Sequence, residues 1–213
     1  MDELKQNILN VLDSLREAGD LRSAEQAEAA ERIVQALEDE DDDLAWHLQK
    51  LARILAAARE WDKAELVARS IPTAYEQASA FYEISSLFIG AGDLEGAVRI
   101  LTEDAIVAQS IEEAWQRAEA LCRIAKMLMA AHERDQALQV WDEALAIARA
   151  GQNADDRQGA VDCASVIREI ARDLAAAGEG KKAIEAARSI RYGLGGLDTA
   201  SIIAKIVKDK LFS

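Results

Sequence analysis

The sequence predicts an all-α protein built from consecutive helix pairs, and three observations support that prediction. Half of the 213 residues are apolar although only 5% are aromatic, and the chain contains a single proline. Alanine supplies much of the apolar content and is the best helix former, whereas proline is the worst. Sandwiches and barrels need more β-branched residues and turns than this composition offers. The third observation is a segment that recurs along the chain.

The recurring segment is fourteen residues long and ends on an alanine. Its clearest copies are Leu51–Ala64, Ile84–Ala97, Ile124–Ala137 and Ile170–Ala183, and a weaker copy is Val11–Ala24. The closing alanines are separated by 40, 33, 40 and 46 residues. Repetition on this scale is typical of proteins in which each helix pair buries its apolar face only against neighbouring pairs.

A short turn separates the two helices of each copy. Gly92–Asp93 and Gly178–Glu179 show its usual composition, a glycine followed by an acidic residue. The glycine supplies the left-handed backbone that ends a helix, and the acidic residue suits the positive N-terminus of the next one. Arg59 and His132 stand at the glycine position in two copies, so we expect those turns to accommodate a side chain.

Helical periodicity along the whole chain predicts eleven helices. They span 3–17, 21–38, 43–58, 61–70, 73–90, 94–109, 112–131, 134–150, 155–177, 180–190 and 197–211. The repeats are therefore 3–38, 43–70, 73–109, 112–150 and 155–190, with a C-terminal capping helix over 197–211. We expect Pro72 in the first turn of the helix that follows it, where its missing N–H leaves no hydrogen bond unmade.

Small residues recur at one position of the first helix in each pair. They are Ala52, Ser85, Ala125, Ala171 and Ala204. Together with the glycine–acidic turn and the closing alanine, this pattern resembles the tetratricopeptide repeat (TPR) family. The resemblance implies a right-handed α-solenoid of about five helix-turn-helix repeats plus the cap, forming a single domain over 1–213, with the first helices lining a concave groove. Pentatricopeptide and HEAT-like repeats share the helix pairs.

The resemblance also indicates which side chains face that groove. They lie one residue after each small position and about one turn to either side of that residue, and Trp46 lies on the same side six residues before Ala52. The polar and apolar members are Trp46, Gln49, Tyr82, Ser86, Ile89 and Met129, and the basic members are Arg53, Lys126, Arg168, Arg172, Lys205 and Lys208. Arg168 and Arg172 are one turn apart, so both can reach one carboxylate or phosphate. The alternative is that the basic groups pair with acidic neighbours such as Glu119 and Asp173.

These features predict a non-catalytic scaffold that binds a peptide or partner protein segment, acidic or with a free C-terminal carboxylate. One alternative is a self-assembling solenoid, a homo-oligomer formed by end-to-end stacking. Residues 1–60 carry a net charge of −8 and residues 180–213 a net charge of +4. A less favoured alternative is a helical repeat that binds RNA or a small molecule. The overall charge of −14 disfavours nucleic acid and anionic membrane as partners.

Catalytic and metal-binding patterns are missing from the sequence. His47 and His132 match no metal or catalytic spacing, and no phosphate-binding loop is present. We expect no enzyme activity, cofactor or metal, and we interpret the acidic run 38–43 as a helix-end feature. Cys122 and Cys163 lie inside helical patterns and are predicted to fill the core of a cytoplasmic protein as thiols. The sequence has no membrane-spanning apolar run and no signal-peptide pattern at its beginning.

Overall fold

The structure is a computed structural model that describes residues 44–153 and 156–191 continuously, and residues 6, 9, 10, 12, 13, 17, 28–30, 32 and 33 singly. The chain divides into two compact units, residues 1–109 and 110–213, and each is treated by itself below. Within the described parts every regular element is an α-helix. The predicted all-α class is therefore confirmed, whereas the single domain over 1–213 stays a prediction.

Each unit contains four helices over its continuously described residues. The first unit contains α1 (Leu44–Ala57), α2 (Trp61–Arg69), α3 (Ala74–Ala91) and α4 (Leu94–Gln109). The second unit contains α5 (Ala114–Ala130), α6 (Arg134–Gly151), α7 (Arg157–Ala176) and α8 (Gly180–Arg188). The predicted bounds of these eight helices are confirmed to within two residues at each end.

The remaining predicted helices fall mostly outside the described residues. The singly described residues between 6 and 33 are helical and lie inside the predicted helices 3–17 and 21–38. The predicted cap over 197–211 and the acidic run 38–43 lie wholly outside. The expectation for Pro72 was wrong, because the N-cap of α3 is Thr73 and Pro72 precedes it, outside the helix.

Within the continuously described residues, the four turns inside the helix pairs have the same backbone conformation. Arg59, Gly92, His132 and Gly178 have φ values of 63°, 81°, 68° and 90°. In each turn the N–H of this residue donates to the carbonyl three residues earlier, and the next N–H donates five residues back. This is the Schellman motif, which satisfies the last carbonyls of a helix. The repeat register predicted from sequence is thus confirmed at these four turns, including the two without glycine.

Small residues lie where the helices of a pair approach each other. The closing alanines of the described repeats and the small positions of their first helices are fully buried: Ala64, Ala97, Ala137, Ala183, Ala52, Ser85, Ala125 and Ala171. A methyl group or hydroxyl at these positions lets two helix backbones come close together. Aromatic residues fill wider spaces, since Trp141 is buried and Trp61 stacks on Phe88 with ring centroids 4.0 Å apart.

The order of packing is the same in both units. In the first, α1 packs on α2, α3 packs on α4, and the first helices α1 and α3 pack on each other. In the second, α5 and α7 take the places of α1 and α3. Each unit therefore places two first helices side by side, so that the predicted groove residues of each unit lie on adjacent helices.

Ion pairs connect the second helices of the first unit. The buried carboxylate of Glu65 on α2 accepts two hydrogen bonds from Arg99 on α4, at 2.8 and 2.5 Å. Arg69 donates to both Glu65 and Glu103, with nitrogen–oxygen distances of 3.1 and 2.6 Å. The hydrogen bond from Arg69 holds the pKa of Glu103 below its ordinary value. Residues separated by 34 positions thus bridge successive repeats.

Candidate functional site

The predicted groove residues lie on the first helices of both units. Trp46, Gln49 and Arg53 are on α1, Tyr82, Ser86 and Ile89 on α3, Lys126 and Met129 on α5, and Arg168 and Arg172 on α7. Lys205 and Lys208 lie outside the described residues. Two depressions of about 180 Å³ each mark the surfaces formed by paired first helices, one in each unit.

The depression of the first unit is formed by the Trp46 surface, which comprises Trp46, Gln49, Lys50, Arg53 and Glu83. Three of these five residues are predicted groove residues. Glu83 comes from α3 and the others come from α1. The structure therefore brings Trp46, Gln49 and Arg53 together around one concave feature, next to a carboxylate from the adjacent first helix.

Trp46 is the exposed aromatic of this surface, with 55% of its area accessible. The Lys50 ammonium lies 5.5 Å from the centroid of its ring, and His47 meets the ring edge at a centroid distance of 4.9 Å. A cation over an indole face at an exposed site contributes roughly 0.5–1 kcal/mol. These two neighbours restrict the orientation of the indole, while half of its surface stays in water.

Glu83 fixes the polar side of the Trp46 surface. Its carboxylate accepts a hydrogen bond from the Gln49 amide at 3.1 Å and lies 3.8 Å from Nε of Arg53. The Arg53 side chain is half exposed, so this pair is screened by water and contributes little to stability. Arg53 therefore remains accessible to a ligand although a carboxylate faces it.

The other predicted residues on α3 do not line this depression. Ser86 is exposed, whereas Tyr82 is half-buried. Ile89 packs against the hydrophobic core of the first unit, so it is less available as a groove contact than predicted. The side chains that face a ligand here are mainly those of α1.

Lys126 lies at the centre of a polar cluster between α5 and α7 in the second unit. Its ammonium donates to Glu169 and lies 3.2 Å from Asp173. Burial lowers the pKa of Lys126, but the hydrogen bond from its ammonium to Glu169 and the nearby acidic groups outweigh this and hold the pKa above its ordinary value. Lys126 is thus a paired group, and Asp173 is one of the partners that the alternative interpretation named.

Cys122 lies beside this cluster and is buried, with Sγ 3.6 Å from Asp173. Burial, reinforced by the charge of Asp173, raises the pKa of the Cys122 thiol. Potential ligand atoms of Cys122, Glu169 and Asp173 lie within 4.8 Å of one another. The Lys126 ammonium contacts both carboxylates and offsets one of their two negative charges, so this arrangement is explained as an ion-pair cluster between helices.

The same repeat positions form the ion pairs of both units. Arg53 and Lys126 each follow the small residue of a first helix, and Glu83 and Glu169 each stand two residues before the small residue of the next one. Arg53 faces Glu83, and Lys126 pairs with Glu169. The predicted row of basic groove residues is therefore partly neutralised. The sequence signal that identifies the partners is this glutamate, which our prediction omitted.

The remaining basic candidates among the described residues lie on α7. Arg168 is half-buried and donates to Ser165 at 2.6 Å, whereas Arg172 is exposed. The predicted partner Glu119 instead pairs with Arg123 at 2.6 Å. Glu119, Asp162 and Glu169 surround the second depression together with Trp115. The first-helix surface of the second unit is thus more acidic than the sequence predicted.

Comparison with known proteins gave no significant similarity to any family model, curated protein or solved structure. In the part of the chain that the structure describes, no helix combines the length and the hydropathy needed to cross a bilayer.

Proposed function

We propose that this protein is a non-catalytic interaction module that binds a segment of a partner protein along its first helices. The proposed architecture is a TPR-like, right-handed solenoid of about five repeats. Three regularities support it: the shared Schellman turns, the fully buried small positions and the common order of packing in both units. Each of these features recurs at corresponding positions of successive helix pairs.

The single observation that supports the binding function best is the exposure of Trp46 beside a depression. The other tryptophans are less accessible: Trp141 is buried, and Trp61 and Trp115 are half-buried. Burying an aromatic side chain contributes strongly to binding, and tryptophan is enriched among residues that dominate interfaces. An indole kept half in water, with its orientation restricted by neighbours, is therefore suited to pack against an apolar side chain of a partner.

The charges around Trp46 indicate the chemistry of the ligand. Lys50 and Arg53 contribute two positive charges, and Glu83 contributes one negative charge. The surplus of one positive charge favours a segment with an apolar side chain next to a carboxylate, either an acidic residue or a free C-terminus. This preference is weaker than a fully basic groove would give, because Lys126 is paired and Arg53 faces Glu83.

The test is a binding screen against peptides that place an apolar residue beside an acidic one, with free or amidated C-termini. Any peptide that binds is then titrated against variants by fluorescence anisotropy. We expect Trp46→Ala to weaken binding by about tenfold or more, and Arg53→Ala by a smaller factor.

Ile106→Ala is the matched control, because Ile106 on α4 is a large apolar residue with 71% of its area exposed outside the Trp46 surface. It should leave the affinity unchanged. Equal losses for Trp46→Ala and Ile106→Ala, or no loss for either, would contradict the proposed site. Arg168→Ala combined with Arg172→Ala tests whether the first-helix surface of the second unit also contributes.

A further inference from the structure

Besides the depression between α5 and α7, the second unit has another concave feature where α6 and α8 end. It has a volume of about 330 Å³, and Arg149, Arg188 and Arg191 line it. Arg149 is in the last turn of α6, Arg188 is the last residue of α8, and Arg191 follows closely. We call it the arginine depression. It shares no residue with the Trp46 surface.

Hydrogen bonds hold two of the three arginines in place. Arg149 donates from Nε to the Ser189 hydroxyl at 2.9 Å and from Nη2 to the Glu185 carbonyl at 3.3 Å. The backbone N–H of Arg191 donates to Gln152 at 2.8 Å, and its Nη1 donates to Asn153 at 2.5 Å. A guanidinium that is already oriented loses less conformational entropy when it binds an anion.

The buried amide of Gln152 fixes the floor of the depression. Gln152 is only 2% exposed, accepts from Arg191 and donates to the Ser189 carbonyl at 3.2 Å. It therefore ties the segment after α8 to the end of α6. The arginine depression is thus supported by a residue whose amide oxygen and amide nitrogen are both hydrogen-bonded.

The charge of the depression is unbalanced. Within 44–153 and 156–191, no ion pair joins Arg149, Arg188 or Arg191 to a carboxylate, whereas Lys182 and Arg134 in the same unit are paired with Asp142 and Glu179. The two helix C-termini contribute about half a negative charge each. About two positive charges remain in excess, which matches a phosphate monoester with its charge of about −1.5 to −2.

We propose that the arginine depression binds a phosphorylated serine or threonine side chain of a partner polypeptide. Three guanidinium groups match the three terminal oxygens of a phosphate monoester better than the two oxygens of a carboxylate. Only Ala150 among the lining residues is apolar, so a free small molecule would bury little apolar surface there. A phosphorylated chain adds contacts with the surrounding surface, and arginine clusters recognise phosphorylated motifs in this way.

The test uses fluorescence anisotropy with a degenerate peptide library that has phosphoserine at its central position, and with the same library unphosphorylated. We expect the phosphorylated library to bind at least about tenfold more tightly, since charge-assisted bidentate bonds form only with the phosphate. Arg188→Ala should remove most of that difference. Arg188→Lys should retain only part of it, because lysine keeps the charge but loses the planar fork.

Lys181→Ala is the matched control, since it removes one exposed positive charge from α8 outside the depression. It should change the affinity by less than about twofold. Equal binding of both libraries would overturn the proposal and leave the arginines as helix-end groups. Binding of free phosphoserine or inorganic phosphate as tightly as the library would overturn the polypeptide as ligand in favour of a small phosphate compound.

Discussion

Replacing the two side chains in left-handed turns with glycine should stabilise the protein. Arg59 and His132 have φ values of 63° and 68°, a region in which a Cβ costs roughly 1–2 kcal/mol. Both side chains are exposed, so their removal loses little packing. Glycine also gives the unfolded chain more conformational entropy, which lowers the free energy of unfolding by about 0.4–1 kcal/mol and offsets part of the gain. The expected net stabilisation is about 0.5–1 kcal/mol for Arg59→Gly and a similar amount for His132→Gly.

Urea unfolding followed by circular dichroism measures these changes as shifts of the midpoint at constant slope. Arg59→Ala and His132→Ala are the matched controls, because they remove the same side chains but keep the Cβ. Gly92→Ala provides the reverse test: no atom lies within 4 Å of the added Cβ, so only the φ of 81° opposes it. Gly92→Ala should lower the free energy of unfolding by about 1 kcal/mol. If the glycine and alanine variants at 59 and 132 are equally stable, the left-handed backbone does not destabilise these two turns.

Three further predictions concern charge and packing. Glu65→Gln should destabilise the protein by about 1–3 kcal/mol in urea unfolding, because the buried carboxylate holds two arginines. The pKa of Glu103 is lowered from 4.5, so its stabilising contribution is present above that pH and disappears as the pH falls through the folded value. Glu103→Gln should therefore make the free energy of unfolding fall less steeply below about pH 4.5. The same pH dependence in the variant and the wild type would contradict this. Gly151→Ala would place a Cβ 2.4 Å from Sγ of Cys163 and should cost about 1–3 kcal/mol in thermal unfolding, whereas Gly90→Ala, in open space on α3, should be neutral or stabilising.

Helix positions were predictable because their signals are local. A left-handed turn residue, the acidic residue after it and a stripe of apolar side chains are all contained within about two turns of sequence. The same register predicted that Trp46, Gln49 and Arg53 share a surface, and the structure places them around one depression. Pro72 was wrongly placed in the first turn of α3 because the helical periodicity does not locate the first residue of a helix.

Charge partners were not predictable in the same way. Lys126 was expected to face a ligand, but it pairs with Glu169 on α7, 43 positions later. Which residues of two adjacent helices meet depends on the length of the connecting segments. Ion-paired residues of successive repeats are 30 or 34 positions apart in the first unit, whereas in the second they are 40 to 47 apart. One-residue changes in such lengths alter every pairing between helices.

The helix pairs, their turns and their buried small positions follow from the amino-acid sequence alone, because each depends on backbone preference and periodic burial within a short stretch. The tertiary structure decided which charges are neutralised and which remain unpaired. Arg149 and Arg191 are 42 positions apart, and only the packing of α6, α7 and α8 brings them to one depression. Electrostatic contacts depend on distances in space, so the charges that meet at both proposed sites depend on how the helices pack.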